Sequence, residues 1–191
     1  VKRRKQFDKI RDVSVNNETD WRKAILGKLT HYKNIAPYYD DTINHVEECL
    51  AVEGDRLGEI LVRCLELNAK KLGISTRIDV QSETIPTLDK VNHSGQWALR
   101  ISEFLGADEY VNPYGGADIF NESEFSDSKI KLSFIKPKLT AYPQRNLNHV
   151  TGLSILDIMM WNDISTINTM LTKDYECLTK NELITSKEIQ I

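Results

Sequence analysis

The chain has 191 residues, of which 40% are hydrophobic and 28% are charged, and its formal net charge is −3. This composition excludes a disordered chain and argues against general nucleic-acid binding, and the length fits one domain with a substantial core. The basic start, residues 2–5, is either a phosphate-binding patch or a solvated strand edge or loop. No apolar stretch is long enough to cross a bilayer, and no signal peptide is visible. We therefore expect a cytoplasmic protein without a membrane span.

The cysteines and histidines argue against a metal site. The three cysteines are odd in number and lack the spacing of zinc ligands, and no two of the four histidines form an HxxH or HxxxH pair. These residues are Cys49, Cys64 and Cys177, and His31, His45, His93 and His149. We expect reduced thiols, no metal and no cofactor.

The first seventy residues are predicted to be mainly helical. Residues 12–15 have the pattern of a short strand, and Asp20 can cap a helix whose apolar stripe, within residues 21–32, is assigned to the core. A second helix carries apolar residues between 43 and 50. A third covers residues 57–72, and Gly73 just past its end is typical of a helix C-terminus.

The second half of the chain adds strands to the helices. Residues 75–80 alternate as a strand does, and a helix with one apolar face, Trp97, Ile101, Phe104 and Leu105, leads to a strand at Tyr110 and Val111. Strand, helix and strand in this order predict a parallel pair with a right-handed crossover. A further strand is expected at 130–135.

The remaining elements complete the predicted fold. Ser154 is expected to cap an apolar helix over residues 155–161, and the polar tail, residues 172–191, allows one more helix. The order of elements predicts a single α/β domain over residues 1–191, with a small, mostly parallel sheet flanked by helices.

A glycine-rich loop after the strand at Tyr110 is the first candidate site, because loops at the carboxyl ends of parallel strands line ligand crevices. It contains Tyr114, Gly115 and Gly116, whose backbone N–H groups can approach a phosphate or carboxylate, unless the glycines only make a turn. Asp118 follows. This acid either orients or deprotonates an amine, or caps a helix over residues 119–125.

Four further side chains are candidates for the site. Tyr142 and Gln144 flank Pro143, which fixes the backbone between them, and Gln144 can both donate and accept hydrogen bonds. Asp157 lies in an otherwise apolar helix, so we expect it to be buried and bonded to an Arg, a Lys, a backbone group or a ligand. His31 is either a general base or an ordinary surface histidine.

Six segments, in this order, resemble the WbqC-like family of bacterial polysaccharide gene clusters. They are YKNIAPYY (32–39), LGIS (72–75), LGADEY (105–110), GGAD (115–118), YPQ (142–144) and LSILD (153–157). The family's usual opening, an aromatic-rich Gln-Pro segment followed by Asp-Asp-Val-Gln, is not in this sequence. We therefore expect the N-terminal part of the family domain to be missing here.

The resemblance implies a transferase of O-antigen biosynthesis that moves a glycyl or other aminoacyl group onto the amine of a nucleotide-linked amino sugar. It favours a site role for Asp118. Together with the residue patterns above, this gives Asp118 and His31 as the catalytic candidates. The substrate-binding candidates are Tyr114, Gly115, Gly116, Tyr142, Gln144 and Asp157. The implied partners are a sugar nucleotide and, as a candidate donor, an acyl or peptidyl carrier protein. The alternative is a non-catalytic protein that binds a carrier or a sugar nucleotide, and the sequence leaves open which of the two applies.

Overall fold

The computed structural model describes residues 1–85, 87–88, 90–145 and 148–188. Within these ranges the helices, in chain order, are α1 (Trp21–Leu29), α2 (Tyr39–Leu50), α3 (Leu57–Lys71), α4 (Gln81–Thr84), α5 (Gln96–Leu105), α6 (Glu122–Asp127), α7 (Ile155–Trp161), α8 (Ile164–Lys173) and α9 (Lys180–Glu188). The strands are β1 (Glu109–Pro113), β2 (Lys131–Pro137) and β3 (Tyr175–Leu178). Short 3-10 helices span Ile10–Asp12, Thr30–Tyr32 and Tyr114–Ile119.

The chain divides into two compact units. The helical unit comprises Val1–Ile78 and Thr140–Leu171, and the sheet unit comprises Asp79–Leu139 and Thr172–Ile191. That the 191 residues form one domain stays a prediction. Across the described ranges, no helix has both the length and the apolar character needed to pass through a bilayer.

Local signals set the helix ends of the helical unit. Asp20 caps α1 by accepting a hydrogen bond from the backbone N–H of Lys23 at 3.0 Å, as predicted. Ser154 caps α7 in the same way, accepting from the N–H of Leu156 at 3.3 Å. Gly73, just past α3, has a φ of +68°, a conformation that glycine adopts without steric cost.

The apolar stripe of α1 does not enter the core, contrary to our prediction. No residue of α1 is buried. The helix is held instead by Arg22, whose guanidinium donates to the carbonyl oxygens of Leu50 and Val52 at 2.8 and 2.9 Å. Hydrogen bonds to carbonyls at the end of α2 therefore take the place of the apolar contacts that the stripe suggested.

The strand predicted at residues 12–15 is also absent. Ile10–Asp12 is a 3-10 helix, and Ser14 forms only an isolated antiparallel bridge with Arg56. Val13 and Val15 are both buried, so the alternating pattern did report burial. It did not produce a strand because no ladder of backbone partners extends beyond that bridge.

The sheet unit contains a three-stranded mixed sheet in the order β1-β2-β3. β1 and β2 are parallel, with Tyr110 opposite Leu132, whereas β2 and β3 are antiparallel, with Ile135 opposite Cys177. The fold is α/β, but the expectation of a mostly parallel sheet was wrong because the polar tail supplies β3. The parallel pair is joined through α6, a crossover one element later than predicted, since residues 75–80 form no strand.

The core of the sheet unit is aromatic. Phe120, Phe125 and Phe134 are buried together, and Leu99 of α5 joins them. The predicted apolar face of α5 points elsewhere: Trp97, Phe104 and Leu105 are each at least half exposed, while Gln96, Leu99 and Ser102 form the buried face. Burial of Gln96 is tolerated because its amide donates to Glu124 at 2.9 Å and accepts from the N–H of Asn92 at 2.7 Å.

Candidate functional site

A buried carboxylate lies at the centre of a polar cluster in the helical unit. Asp157 is 7% exposed and accepts hydrogen bonds from the hydroxyls of Tyr32 and Tyr142, each at 2.5 Å, and from the Gln144 amide at 3.1 Å. The prediction that Asp157 is buried and hydrogen-bonded is confirmed. Its partners are two tyrosines and a glutamine, not the Arg, Lys or backbone group that we expected, and the alternative of a ligand partner stays a prediction.

Each member of this cluster is placed by its own local structure. Asp157 occupies the first turn of α7, where the positive end of the helix dipole favours a carboxylate. Tyr32 ends the 3-10 helix Thr30–Tyr32, and its ring packs edge-on against Trp161 with centroids 6.3 Å apart. Gln144 also closes its own loop, donating to the carbonyl of Val150 at 3.1 Å and accepting from its N–H at 2.8 Å.

Two histidines flank the two tyrosines. The His31 ring lies 4.0 Å from that of Tyr32, and its Nδ1 is 2.8 Å from the carbonyl oxygen of Lys28. Nδ1 of the neutral imidazole must donate to that carbonyl, which leaves Nε2 as the acceptor. His149 packs edge-on against Tyr142, with centroids 5.1 Å apart. Its Nδ1 is buried and has no hydrogen-bond partner in the described part of the chain.

His149 was missed by the sequence analysis. It belongs to no metal-ligand spacing and follows a stretch without periodic pattern, so its residue type was the only signal. The position of His149 beside Tyr142 follows from the tertiary structure. Two hydrogen bonds between the Gln144 side chain and the Val150 backbone bring this part of the chain back toward Tyr142. A histidine within the turn closed by a predicted site glutamine is the pattern that would have indicated it.

The tyrosines of the cluster act as hydrogen-bond donors and not as bases. Burial raises the pKa of Tyr142 to about 12, and its hydrogen bond to Asp157 raises it as well. The pKa of Tyr32 is raised further by the same two causes. Both hydroxyls therefore stay protonated at neutral pH. Within the described ranges Asp157 forms no ion pair with a Lys or Arg, so its partners supply donors without supplying charge.

The glycine loop lies in the sheet unit, directly after β1. Tyr114, Gly115, Gly116 and Asp118 all belong to the 3-10 helix Tyr114–Ile119. Asp118 is exposed. The alternative role as a helix cap was wrong, because the N-cap of α6 is Asn121, whose side chain accepts from the N–H of Ser123 at 3.2 Å.

The predicted site residues thus fall into two sets. The structure brings Tyr142, Gln144 and Asp157 into direct contact and places His31 beside them through Tyr32. Tyr114, Gly115, Gly116 and Asp118 belong to the sheet unit. The polar cluster of the helical unit was therefore the part of the prediction that the structure assembles.

Two open depressions are lined by other residues. One, of about 340 Å³, runs beside α3 and is lined by Glu66, Lys70 and Ile74 among others. The other, of about 290 Å³, is lined by Arg100, Glu103 and Phe104 with neighbouring residues. No predicted site residue lines either one. We give the polar cluster more weight, since both depressions lack a buried, converging set of polar groups. In the described residues no group of three or more His, Cys, Asp or Glu side chains is arranged to hold a metal ion.

Residues 1–169 match the model of the WbqC-like protein family. The chain belongs to this family. The match confirms the resemblance seen in the six segments. It covers every candidate residue of this WbqC-like chain and ends before β3 and α9. No curated protein and no solved structure matches the chain.

Proposed function

We propose that this WbqC-like protein is a cytoplasmic aminoacyl transferase of O-antigen biosynthesis, which moves a glycyl or other aminoacyl group onto the amine of a nucleotide-linked amino sugar. The observation that carries the proposal is the Asp157 carboxylate. It is buried, holds three neutral donors and has no cationic side chain as a partner within the described chain. Such a carboxylate is suited to an amine acceptor, whose ammonium form supplies the missing positive charge.

The groups around Asp157 supply what the transfer needs. Gln144 and the two tyrosines hold the carboxylate in one orientation, so little rearrangement is required when an amine binds. His31 offers Nε2 as a proton acceptor, since its Nδ1 is committed to the carbonyl of Lys28. We assign Asp157 to binding of the acceptor and His31 to general-base catalysis.

The chemical step follows from an aminoacyl thioester on a carrier protein as the donor. The bound ammonium first releases one proton to solvent water. The neutral amine nitrogen then attacks the thioester carbonyl carbon, a C–N bond forms and the C–S bond breaks. The proton that the nitrogen loses passes to Nε2 of His31 and then to the departing sulfur, which leaves as a thiol. No oxidant, metal or further reactant is needed for the atoms to balance.

The test is a turnover assay with the purified chain, an aminoacyl carrier thioester and an amino-sugar nucleotide, followed by mass spectrometry of the amide product. His31→Gln is expected to lower the rate by roughly 10²–10⁴-fold, the usual contribution of a general base. His93→Gln is the matched control, because His93 lies in the sheet unit and pairs with Glu124 at 3.0 Å. Equal rates for the two variants would remove His31 from the mechanism.

A second function, binding without catalysis, is supported by the same cluster. Its tyrosines have raised pKa values and remain donors, and it contains no activated nucleophile. In that case calorimetry would detect the sugar nucleotide or the carrier protein, Asp157→Asn would weaken that binding, and no amide product would form with any donor. Product formation by the parent chain would exclude this alternative.

A further inference from the structure

The first eleven residues form a strongly basic and fully exposed surface, which we call the basic segment. They contain six Lys or Arg and one Asp, within a chain whose net charge is −3. Every residue of the segment is exposed. Charge of one sign is therefore concentrated on a short stretch of the helical unit, and this asymmetry suggests a negatively charged partner.

The basic segment is folded into a turn that presents an aromatic side chain. The backbone N–H of Lys5 donates to the Asp8 carboxylate at 2.7 Å, and the N–H of Asp8 donates to the Lys5 carbonyl at 3.3 Å. Phe7 stands at the tip of this turn and is 89% exposed, and Ile10 beyond it is 62% exposed. Among the large hydrophobic side chains of the described residues Phe7 is the most exposed, and an apolar side chain within a cationic segment is typical of a lipid-contact surface.

Most of the cations in this segment are free to bind. Lys2 pairs with Asp55 at 2.8 Å, whereas Arg3, Arg4, Lys5 and Lys9 form no ion pair within the described part of the chain. The one acid of the segment, Asp8, is occupied in closing the turn. Four cations without an ion pair in the described part of the chain thus lie within four residues of the exposed Phe7 in sequence.

We propose that the basic segment docks the protein onto an anionic lipid bilayer surface. The four cations lie against the lipid headgroups, and Phe7 and Ile10 enter the boundary between headgroups and acyl chains, where amphipathic side chains gain most. Nucleic acid fits less well, because an aliphatic Ile10 beside Phe7 matches an acyl boundary better than a phosphate backbone, and the rest of the chain is acidic. The inference is independent of the proposed transferase activity.

The experiment is flotation of the purified chain with phosphatidylcholine vesicles, with and without phosphatidylglycerol, at low and physiological salt. Binding is expected only to the anionic vesicles and is expected to weaken as salt screens the charges. Equal binding to both kinds of vesicle, or binding to neither, would overturn the proposal. Tighter binding to labelled RNA or DNA than to anionic vesicles would overturn it as well.

Variants separate the contribution of the positive charges to membrane binding from that of the apolar side chain. Changing Arg3, Arg4, Lys5 and Lys9 together to Gln is expected to lower partition onto anionic vesicles by more than about tenfold, since each cation near such a surface is worth roughly fivefold. Phe7→Ser is expected to weaken partition several-fold while keeping its salt dependence. The control changes four exposed lysines elsewhere in the helical unit, Lys23, Lys28, Lys33 and Lys70, to Gln. If the control loses as much binding as the quadruple variant, net charge and not the basic segment is responsible, and the proposal fails.

Discussion

The hydroxyl of Tyr32 donates a hydrogen bond to Oδ1 of Asp157 at 2.5 Å, although 125 residues separate the two in sequence. Tyr142 binds the other carboxylate oxygen, also at 2.5 Å. One acid therefore ties the end of the 3-10 helix Thr30–Tyr32 and the segment before α7 to the first turn of α7. This arrangement makes the cluster both a structural element and the best candidate for a site.

Tyr32→Phe and Tyr142→Phe are each expected to lower the free energy of unfolding by about 1.5–3 kcal/mol, the usual value for a hydrogen bond to a charged group. Urea unfolding measures this change. Tyr39→Phe is the control, because the Tyr39 hydroxyl makes no hydrogen bond in the described part of the chain, and its cost is expected to stay within about 0.5 kcal/mol. If all three variants lose the same stability, the hydrogen bonds to Asp157 contribute nothing specific.

Stability is expected to fall at alkaline pH through the same tyrosines. The pKa of Tyr142 rises from 10.0 to about 12 on folding, so the folded chain holds its proton more tightly than the unfolded chain does. The resulting stability is fully present below about pH 10 and is lost as the pH rises toward 12. Urea unfolding over this range should show a steeper loss for the parent than for Tyr142→Phe. Parallel curves for the two proteins would contradict the raised pKa.

Substitution by alanine is expected to change the stability of the protein differently at the two neighbouring glycines of the loop after β1. A Cβ at Gly116 would lie 2.5 Å from Nδ2 of Asn112, whereas a Cβ at Gly115 would have no atom within 4 Å. The Asn112 side chain cannot move aside without losing hydrogen bonds. It accepts one from the Tyr110 hydroxyl at 2.9 Å and donates one to the Pro113 carbonyl at 2.8 Å. Gly116→Ala should therefore cost about 1–3 kcal/mol and Gly115→Ala much less, by thermal or urea unfolding. The reverse order would show that Asn112 moves freely.

Asp118→Asn tests the exposed acid of the same loop. Because Asn121 and not Asp118 caps α6, we expect the unfolding free energy of this variant to stay within about 0.5 kcal/mol of the parent value. If Asp118 is the catalytic residue that the family resemblance favours, turnover in the assay above falls by roughly 10²–10⁴-fold. Asp127→Asn, an exposed acid at the end of α6, is the control. Unchanged turnover and acceptor affinity would exclude Asp118 from the site.

The three cysteines are expected to react with a thiol reagent in a set order. Burial raises the pKa of Cys49 to about 11 and also raises that of Cys64, so the reactive thiolate is scarce at both. Cys177 in β3 is exposed. Mass spectrometry after brief labelling at pH 8 should find the label on Cys177 first, and on the other two only after denaturation. Early modification of Cys49 would contradict its burial between α2 and α3.

Short-range signals predicted the helix boundaries well. The caps Asp20 and Ser154 bond to backbone N–H groups two or three residues away, and Gly73 follows α3 with a φ of +68°, so each depends only on its neighbours. The same locality explains why Asp157 was expected to be buried: apolar neighbours on a short helix leave few other orientations. Which groups would meet it was not predictable, since Tyr32 arrives from a distant part of the chain.

By itself, the sequence determined the caps of α1 and α7, the α/β class, the family and the burial of Asp157, because these follow from spacing, capping and residue type within short windows. It did not predict α4 or α8. The tertiary structure decided which face of α5 is buried, since Gln96 enters the core through its bonds with Glu124 and Asn92. It also decided that the sheet is mixed, because β3 becomes a strand only by pairing with β2. Which segments pair over long sequence distances depends on the tertiary path of the chain, and a local sequence pattern does not specify that path.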